Sequence, residues 1–340
     1  MAARLKHRQR LPIRSKNSLR NALLFVLALS FTWLFFASVT PSLPSPSFPV
    51  HFYSNQTRHD IKLLFCSAIL NAKKSIDVKM YGITDPDVVS LLGKQASQGI
   101  HICIEYDRKA SSAKLLKTLP KNVQLIPSAS KGLMHRKILV LDEMTLFLGS
   151  ANLTTASLRH HDNLVLGLHC PPLAAYLRNP TFPSFSFTVN DMQGEIWLLP
   201  DKDRQALSKL ISTINSAKKT IKIAMFTLTH PEIADALIAA QLRGVHVEAA
   251  VDYYTAKGAS EKCIEKLRKA GICIILSQGQ ELLHHKWALL DERVFIMGSA
   301  NWTKAAFQKN DDFLIFFSSM HESQINFLKK LWKNISIESF

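Results

Sequence analysis

The sequence predicts an α/β protein made of two similar α/β sandwich halves, related by a pseudo-two-fold axis, after an N-terminal transmembrane helix. Three observations predict this fold. A polar motif occurs twice with the same internal spacing, shorter matches recur at a constant offset, and helical and strand periodicities alternate along the chain. Helices that alternate with short apolar strands are typical of a largely buried sheet.

The N-terminal segment has the features of a membrane anchor. Residues 1–20 are basic and polar, and the 18 residues from Ala22 to Val39 carry no charge, which is close to the shortest length that spans a bilayer. The basic flank predicts a cytoplasmic n-region at 1–20 and a transmembrane signal anchor at 21–40. The body would then lie on the exported side, periplasmic or lumenal/extracellular. Cleavage of a signal peptide, which would release a secreted protein, is the alternative.

The rest of the chain divides into a linker and two repeated halves. Residues 41–50 are rich in Pro and Ser and predict an extended, stiff linker. Beyond it, Asn71–Ile76 matches Ser216–Ile221, and Gly99 matches Gly244, both at an offset of 145 positions (216 − 71 and 244 − 99). These matches place half 1 at 51–169, a connection at 170–194 and half 2 at 195–340.

Within each half, apolar residues indicate the type of element. Ile61, Leu64, Phe65, Ala68 and Ile69 recur at three- and four-residue steps, which is the pattern of one buried helix face. Each half is predicted to run strand, helix, strand, helix, strand, helix, strand, followed by a hairpin and a closing strand.

That hairpin carries the polar motif, H-x-K-x4-D-x6-G-S-x-N. The first copy holds His135, Lys137, Asp142, Ser150 and Asn152, and the second holds His284, Lys286, Asp291, Ser299 and Asn301. From His to Asn is 17 positions in both copies (152 − 135 and 301 − 284). Two matches of this length with one spacing exclude chance, so both copies are expected to serve the same chemistry.

The residue types of the motif favour a phosphate site. Side chains two apart on a strand point to the same face, so each His lies beside its Lys. Ser and Asn follow a strand where a helix begins, and free backbone N–H groups at such a position favour an anion. The sequence shows neither a carboxylate cluster suited to Mg²⁺ nor a Cys/His spacing suited to zinc, so we predict no metal and no cofactor.

The duplicated motif resembles that of the phospholipase D superfamily, from about Phe52 to Phe317. The resemblance implies a two-step displacement on phosphorus without metal, through a covalent phosphohistidine, at one site built from both halves of a monomer. It implies His135 as the nucleophile and His284 as the acid and base. The remaining roles are distributed over the two motifs. The non-bridging oxygens would be held by Lys137, Lys286, Asn152 and Asn301, with Ser150 and Ser299 supporting the phosphate and Asp142 and Asp291 in structural roles.

One departure from the family pattern concerns the residue that orients each histidine. The family often carries an acidic residue eleven positions after the motif Asn. Half 2 has Asp312 there (301 + 11), whereas half 1 has Asn163 (152 + 11), with Asp162 beside it. A carboxylate fixes the tautomer of a histidine and raises its basicity. Two unequal histidines are therefore expected, unless Asp162 substitutes through a one-residue bulge.

The substrate is less sharply predicted than the chemistry. A net charge of +16 favours polyanionic partners, either a phospholipid or membrane surface or a nucleic acid. The predicted anchor favours a phospholipid phosphodiester that is hydrolysed or transferred. A metal-independent endonuclease and a cardiolipin synthase-like phosphatidyltransferase are the alternatives, and non-enzymatic binding is disfavoured because both motifs are complete. His160, His161 and His285 lie near the motifs but off the repeated positions, so no role is predicted for them.

Overall fold

The computed structural model describes residues 21–26, 41–278 and 281–337. The chain divides into two units, Met1–Pro41 and Ser42–Phe340, and the elements below belong to the second. Residues 21–26 are helical and exposed, and the remainder of the predicted anchor lies outside the described residues. Within the described ranges, no helix is both long enough and apolar enough to cross a bilayer. The prediction of a single anchoring helix at 21–40, and of an exported body tethered by it, is contradicted by this finding.

The segment predicted as an extended linker, residues 41–50, makes contacts with the rest of the body. Ser45 and Phe48 pair with each other across a tight turn. The hydroxyl of Tyr53 donates to the carbonyl oxygen of Ser42 at 2.5 Å, and Leu43 packs against the buried core. Residues 42–49 are therefore folded onto the body, because Leu43 packs against the core and the backbone of Ser42 accepts a hydrogen bond from the buried Tyr53 of β1.

The first sheet has seven strands in the order β1-β8-β6-β5-β2-β3-β4. Its strands are β1 (Val50–Ser54), β2 (Ser75–Met80), β3 (His101–Tyr106), β4 (Gln124–Pro127), β5 (Lys137–Leu141), β6 (Thr145–Gly149) and β8 (Leu164–His169). A 3-10 turn (Asn55–Thr57) and five helices accompany it: α1 (Ile61–Asn71), α2 (Pro86–Ser97), α3 (Ala113–Leu116), α4 (Thr155–Arg159) and α5 (Pro171–Arg178).

The second sheet has eight strands in the order β13-β12-β11-β15-β16-β17-β10-β9. Its strands are β9 (Ser184–Val189), β10 (Met192–Leu198), β11 (Thr220–Met225), β12 (His246–Val251), β13 (Cys273–Leu276), β15 (Lys286–Leu290), β16 (Val294–Gly298) and β17 (Phe313–Ser318). Its helices are α6 (Gln205–Ser216), α7 (Pro231–Leu242), α8 (Tyr253–Ala256), α9 (Glu261–Lys269), α10 (Lys304–Gln308) and the closing α11 (Glu322–Ile337).

The two sheets repeat one topology, as the constant sequence offset predicts. In each sheet three parallel strands, β2-β3-β4 or β11-β12-β13, adjoin an antiparallel set that contains the motif hairpin, β5-β6 or β15-β16. The mixed α/β architecture with two similar sheets is therefore confirmed. The extra edge strand β9 belongs to the chain segment between the two repeats.

The core forms three apolar layers. A central cluster packs the two sheets face to face, and it contains Ile138 and Val140 of β5 with Trp287 and Leu289 of β15. The outer clusters lie between each sheet and its own helices. The predicted face of α1 is buried in one of them, with its five apolar side chains at most 3% exposed. Burial of side chains of this size stabilises a fold by roughly 2 kcal/mol each, which holds each sheet rigidly enough to carry a site.

The motif aspartates lie at the hairpin turn, away from the histidine end of the strand. Asp142 has φ 53° and Asp291 has φ 52°, both in the left-handed region that tight hairpin turns use. The Asp142 carboxylate accepts hydrogen bonds from the backbone N–H groups of residues 73–75, and that of Asp291 accepts from those of residues 218–220. Burial alone would raise the pKa of Asp291, but these three N–H groups lower it. Both aspartates thus tie the hairpin to the neighbouring strand.

Candidate active site

The two motif histidines are held in place by backbone from the opposite repeat. His135 lies two residues before Lys137, the first residue of β5, and its N–H donates to the carbonyl oxygen of Asp311 at 2.8 Å. His284 lies two residues before Lys286, the first residue of β15, and its N–H donates to that of Asp162 at 2.9 Å. Two short strands, β7 (His161–Asp162) and β14 (Leu282–Leu283), pair in parallel beside His284. These contacts between the two repeats bring the two motifs close together.

Asp312 fixes the imidazole of His135. Its Oδ1 atom lies 2.7 Å from Nδ1 of His135 and also accepts from the Ser299 hydroxyl at 2.6 Å. Because a carboxylate accepts hydrogen bonds, Nδ1 carries the proton and Nε2 keeps its lone pair. The side-chain hydrogen bond of His135 in the described part of the chain is made by Nδ1 and leaves Nε2 unengaged. His135 is therefore held at Nδ1, with the lone pair of Nε2 available to a ligand.

Asn163 fixes the imidazole of His284 through its neutral amide. Its Oδ1 atom lies 3.0 Å from Nδ1 of His284 and accepts from the Ser150 hydroxyl at 2.8 Å. Its Nδ2 atom donates to the carbonyl oxygens of Ser157 at 2.8 Å and His161 at 3.1 Å, which fixes the amide orientation. His284 thus also carries its proton on Nδ1. The contact needs no bulge, so the two histidines are unequal, with a carboxylate on one and an amide on the other.

The two motif serines lie behind the histidines. Besides donating to Asp312 or Asn163, the hydroxyl of Ser299 accepts the N–H of Phe313 at 3.0 Å, and that of Ser150 accepts the N–H of Leu164 at 3.1 Å. Both side chains are buried. The two serine hydroxyls therefore contact the residues that orient the histidines.

The side chains of the two motif lysines are buried. Nζ of Lys137 donates to the carbonyl oxygen of His135 at 2.6 Å, and Nζ of Lys286 donates to that of His284 at 2.9 Å. Each ammonium also lies over an aromatic ring, 5.0 Å from the centroid of Tyr81 or 5.2 Å from that of Phe226. Burial lowers the pKa of Lys137 to about 7, and burial together with the charge of Lys137 lowers the pKa of Lys286 well below its usual value. A bound anion would stabilise both charged forms.

The same environment sets the basicity of the histidines. Burial and the neighbouring lysines lower the pKa of His135, and Asp312 partly offsets this effect. Burial, Lys286 and Lys137 lower the pKa of His284 well below its usual value. The pKa of Asp312 is lowered in turn, because the His135 and Lys137 charges and the hydrogen bonds it accepts outweigh its burial. His135 is thus the more basic of the two imidazoles.

The motif asparagines are the remaining groups that could bind a phosphate directly. The amide oxygens of Asn152 and Asn301 are buried, and neither has a hydrogen-bond partner among the described residues. Backbone holds Asn152 in place, since its N–H donates to the Ser157 hydroxyl at 2.9 Å. Both amides are therefore free to turn an N–H donor towards a ligand.

Two neighbouring histidines differ in their relation to the site. His285 points away from it, as strand alternation requires; its Nε2 atom lies 2.8 Å from Oε1 of Gln56, and burial lowers its pKa to about 3. The ring of His161, in contrast, lies 5.7 Å from that of His284. Sequence reasoning missed this residue because it has no counterpart in the other motif. Across the described ranges, no group of three or more His, Cys, Asp or Glu residues is arranged to hold a metal.

Comparison with known proteins agrees with this geometry. The family model for the "Cardiolipin synthase, PLD-like domain" matches residues 65–180 and 210–334. The chain belongs to the phospholipase D superfamily. A solved member of similar fold, phosphatidylserine synthase from Haemophilus influenzae Rd KW20, superposes with a TM-score of 0.68 at 14% identity, covering 86% of this chain and 87% of the other.

Curated relatives of this superfamily member differ in their coverage. Mitochondrial cardiolipin hydrolase of Xenopus laevis is 35% identical over 116 residues, which cover 34% of this chain and 53% of that protein. The Homo sapiens protein of the same name is 38% identical over 106 residues, covering 31% and 41%. The chain therefore spans about half the length of these relatives. Cardiolipin synthase A of Pseudomonas syringae pv. syringae (strain B728a) is 26% identical over 330 residues, covering 80% and 67%.

Proposed function

We propose that this chain is a phosphodiesterase of the phospholipase D type, which hydrolyses or transfers a phospholipid phosphodiester through a covalent phosphohistidine. One observation carries the proposal. Two buried histidines, one from each motif, have Nδ1 tied to an acceptor from the opposite repeat and Nε2 free. Two such imidazoles on either side of one phosphate supply a nucleophile and an acid for an in-line displacement.

In the first step Nε2 of His135 attacks phosphorus and forms a P–N bond. The bond from phosphorus to the leaving oxygen breaks, and that oxygen takes the proton of protonated His284. The phosphorylated ring still carries its Nδ1 proton and is therefore cationic, and the Asp312 carboxylate at 2.7 Å stabilises that charge. Lys137, Lys286 and the two motif asparagines would hold the non-bridging oxygens and the charge of the transition state.

In the second step neutral His284 removes a proton from water or from an alcohol. The oxygen so activated attacks phosphorus, the P–N bond breaks, and His135 returns to its starting form. The pairing of His284 with Asn163, a neutral amide, suits this residue for the acid role, since an imidazolium without a carboxylate partner is the stronger acid. The anionic phosphate would raise the pKa of His284 upon binding, so that it is protonated when it is needed.

The substrate we favour is a phospholipid. This choice rests on the relatives, which are named for cardiolipin hydrolysis and cardiolipin synthesis, and on the basic charge of the chain. Nucleic acid is the competing polyanion. Water and alcohol are both compatible with the second step, so hydrolysis and phosphatidyl transfer are two outcomes of one mechanism.

A parallel assay of the full chain in excess chelator tests this proposal. One arm offers vesicles of phosphatidylcholine with and without anionic phospholipid and measures the released headgroup. The other offers single- and double-stranded DNA. We expect turnover of lipid, greater on anionic vesicles, and no cleavage of DNA. Cleavage of DNA alone would assign the protein to the nucleases, and turnover that needs added metal would contradict the proposed mechanism.

A further inference from the structure

His161 lies beside the proposed acid and base. The rings of His161 and His284 are 5.7 Å apart at an interplanar angle of 51°. His161 begins β7, which pairs with β14, and β14 runs directly into His284. Its carbonyl oxygen accepts from Nδ2 of Asn163, the residue that orients His284. Backbone contacts on two sides therefore fix this second imidazole next to the first.

The other motif has a different side chain at this place. The two motifs are 149 positions apart (284 − 135), so the position equivalent to His161 is Asn310 (161 + 149). The Oδ1 atom of Asn310 accepts the N–H of Leu133 at 3.1 Å. The aromatic neighbours of the two histidines are otherwise similar. The ring centroid of Tyr81 lies 5.1 Å from that of His135, and the ring centroid of Phe226 lies 5.0 Å from that of His284. His161 thus makes the His284 side of the site chemically distinct from the His135 side.

The surroundings of His161 indicate which nitrogen faces a ligand. Its Nδ1 atom is buried and has no hydrogen-bond partner among the described residues, although the residue as a whole is half-buried. A buried N–H without an acceptor is costlier than a buried lone pair, so the proton resides on Nε2. Burial, Lys286 and His160 lower the pKa of His161, which keeps the ring neutral near pH 7. Nε2–H is consequently a donor without a protein acceptor in the described part of the chain.

We propose that His161 lines the subsite for the leaving group and the incoming acceptor, where it donates a hydrogen bond to a second hydroxyl of a polyol. The inference rests on the proposed function. In an in-line displacement the leaving oxygen departs on the side opposite to His135, against His284, and the acceptor oxygen enters along the same line. Both alcohols therefore occupy the space that His161 borders.

The Nε2–H donor of His161 would make the site selective among leaving alcohols that His284 protonates equally well. The ester oxygen of any leaving alcohol takes its proton from His284, whereas a second hydroxyl a few bonds away meets Nε2–H of His161. Phosphatidylglycerol offers such a hydroxyl and phosphatidylethanol does not, although both headgroups carry the same charge. One neutral hydrogen bond made in the transition state corresponds to about a fivefold to tenfold preference for the polyol ester.

The test compares kcat/KM for phosphatidylglycerol and phosphatidylethanol, at equal mole fraction in phosphatidylcholine vesicles, in the full-length protein and three variants. His161→Phe keeps a ring and removes the donor, and His161→Gln keeps a donor. His160→Ala is the matched control, because His160 is exposed and adjacent. We expect the wild-type preference to fall to about one in His161→Phe, to persist in part in His161→Gln and to stay unchanged in His160→Ala.

Hydrolysis of bis(p-nitrophenyl) phosphate, whose leaving group has no second hydroxyl, separates this inference from the proposed function. Turnover of this ester by a wild-type protein that shows no preference for the glycerol headgroup would overturn the role of His161 alone. Equal ratios in the Phe and Gln variants would overturn it as well. A wild-type protein that turns over neither lipid nor the nitrophenyl ester would refute the proposed function and the inference together.

Discussion

Replacement of His135 or of His284 by alanine is expected to lower kcat for a phospholipid substrate by about 1,000-fold or more. In the proposed mechanism His135 forms the bond to phosphorus and His284 protonates the leaving oxygen, so either replacement removes a group that the mechanism requires. KM should change little, because the lysines and asparagines that hold the phosphate remain. Steady-state kinetics on phosphatidylglycerol vesicles measures both parameters.

An activated substrate distinguishes the two histidines. A p-nitrophenyl leaving group departs without protonation, so His284→Ala should release one equivalent of p-nitrophenol in a burst from bis(p-nitrophenyl) phosphate and then stall. His135→Ala should show no burst. His160→Ala controls for the loss of an imidazole near the site and should behave as the wild type does. A burst in His135→Ala that is absent from His284→Ala would reverse the two roles.

Substitution of the residue that orients each histidine, Asp312 or Asn163, is the second change with a large expected effect. Asp312→Asn removes the carboxylate that, in the proposed mechanism, stabilises the cationic phosphorylated ring of His135, and we expect kcat to fall by about 100-fold. The buried Ser299 hydroxyl can still donate to the new amide oxygen, so the fold should be retained. Thermal unfolding of the variant checks that condition. Full activity in a folded Asp312→Asn protein would contradict the role given to this carboxylate.

Asn163→Asp should act on the pH dependence instead. His284 must be protonated for the first step, so kcat/KM falls as the pH rises through its pKa in the free protein. Burial and the two lysines lower that pKa well below its usual value. The decrease in kcat/KM should therefore begin at a pH below the pKa of an ordinary histidine. A carboxylate at 163 favours the protonated ring and raises its pKa, which should move the fall about one pH unit upward. A shift downward, or none, would contradict the acid role of His284.

The sequence predicted the repeated topology and the polar set because both leave local signals. Alternating periodicities mark the strands and helices, and the H-x-K spacing places two side chains on one strand face. Asp312 could be named from the resemblance to the superfamily, which often has an acidic residue eleven positions after the motif Asn. What orients His284 could not be predicted so directly, because the carbonyl oxygens of Ser157 and His161 fix the Asn163 amide only in the folded chain.

Long-range contacts account for the other differences. Asp312 contacts His135, which lies 177 positions earlier, and Asn163 contacts His284, which lies 121 positions later. Contacts between residues so far apart leave no local pattern in the sequence. Ser150 and Ser299 were expected to contact a phosphate because each follows a Gly at the end of a strand. In the structure their hydroxyls donate hydrogen bonds to Asn163 and Asp312. His161 lies off the repeat and enters the site through the pairing of β7 with β14. The membrane anchor, inferred from an uncharged 18-residue stretch and its basic flank, is contradicted by the structure, since no helix of the described ranges is long and apolar enough to cross a bilayer.

The most direct measurement is to trap the covalent intermediate. His284→Ala is mixed with bis(p-nitrophenyl) phosphate, quenched under alkaline conditions that preserve a P–N bond, digested and analysed by mass spectrometry. The mechanism predicts a nitrophenylphosphoryl group on His135, in about one equivalent per chain, and none when His135 is also replaced. A burst of nitrophenol with no adduct on His135, or with the adduct on another residue, would contradict the proposed phosphohistidine.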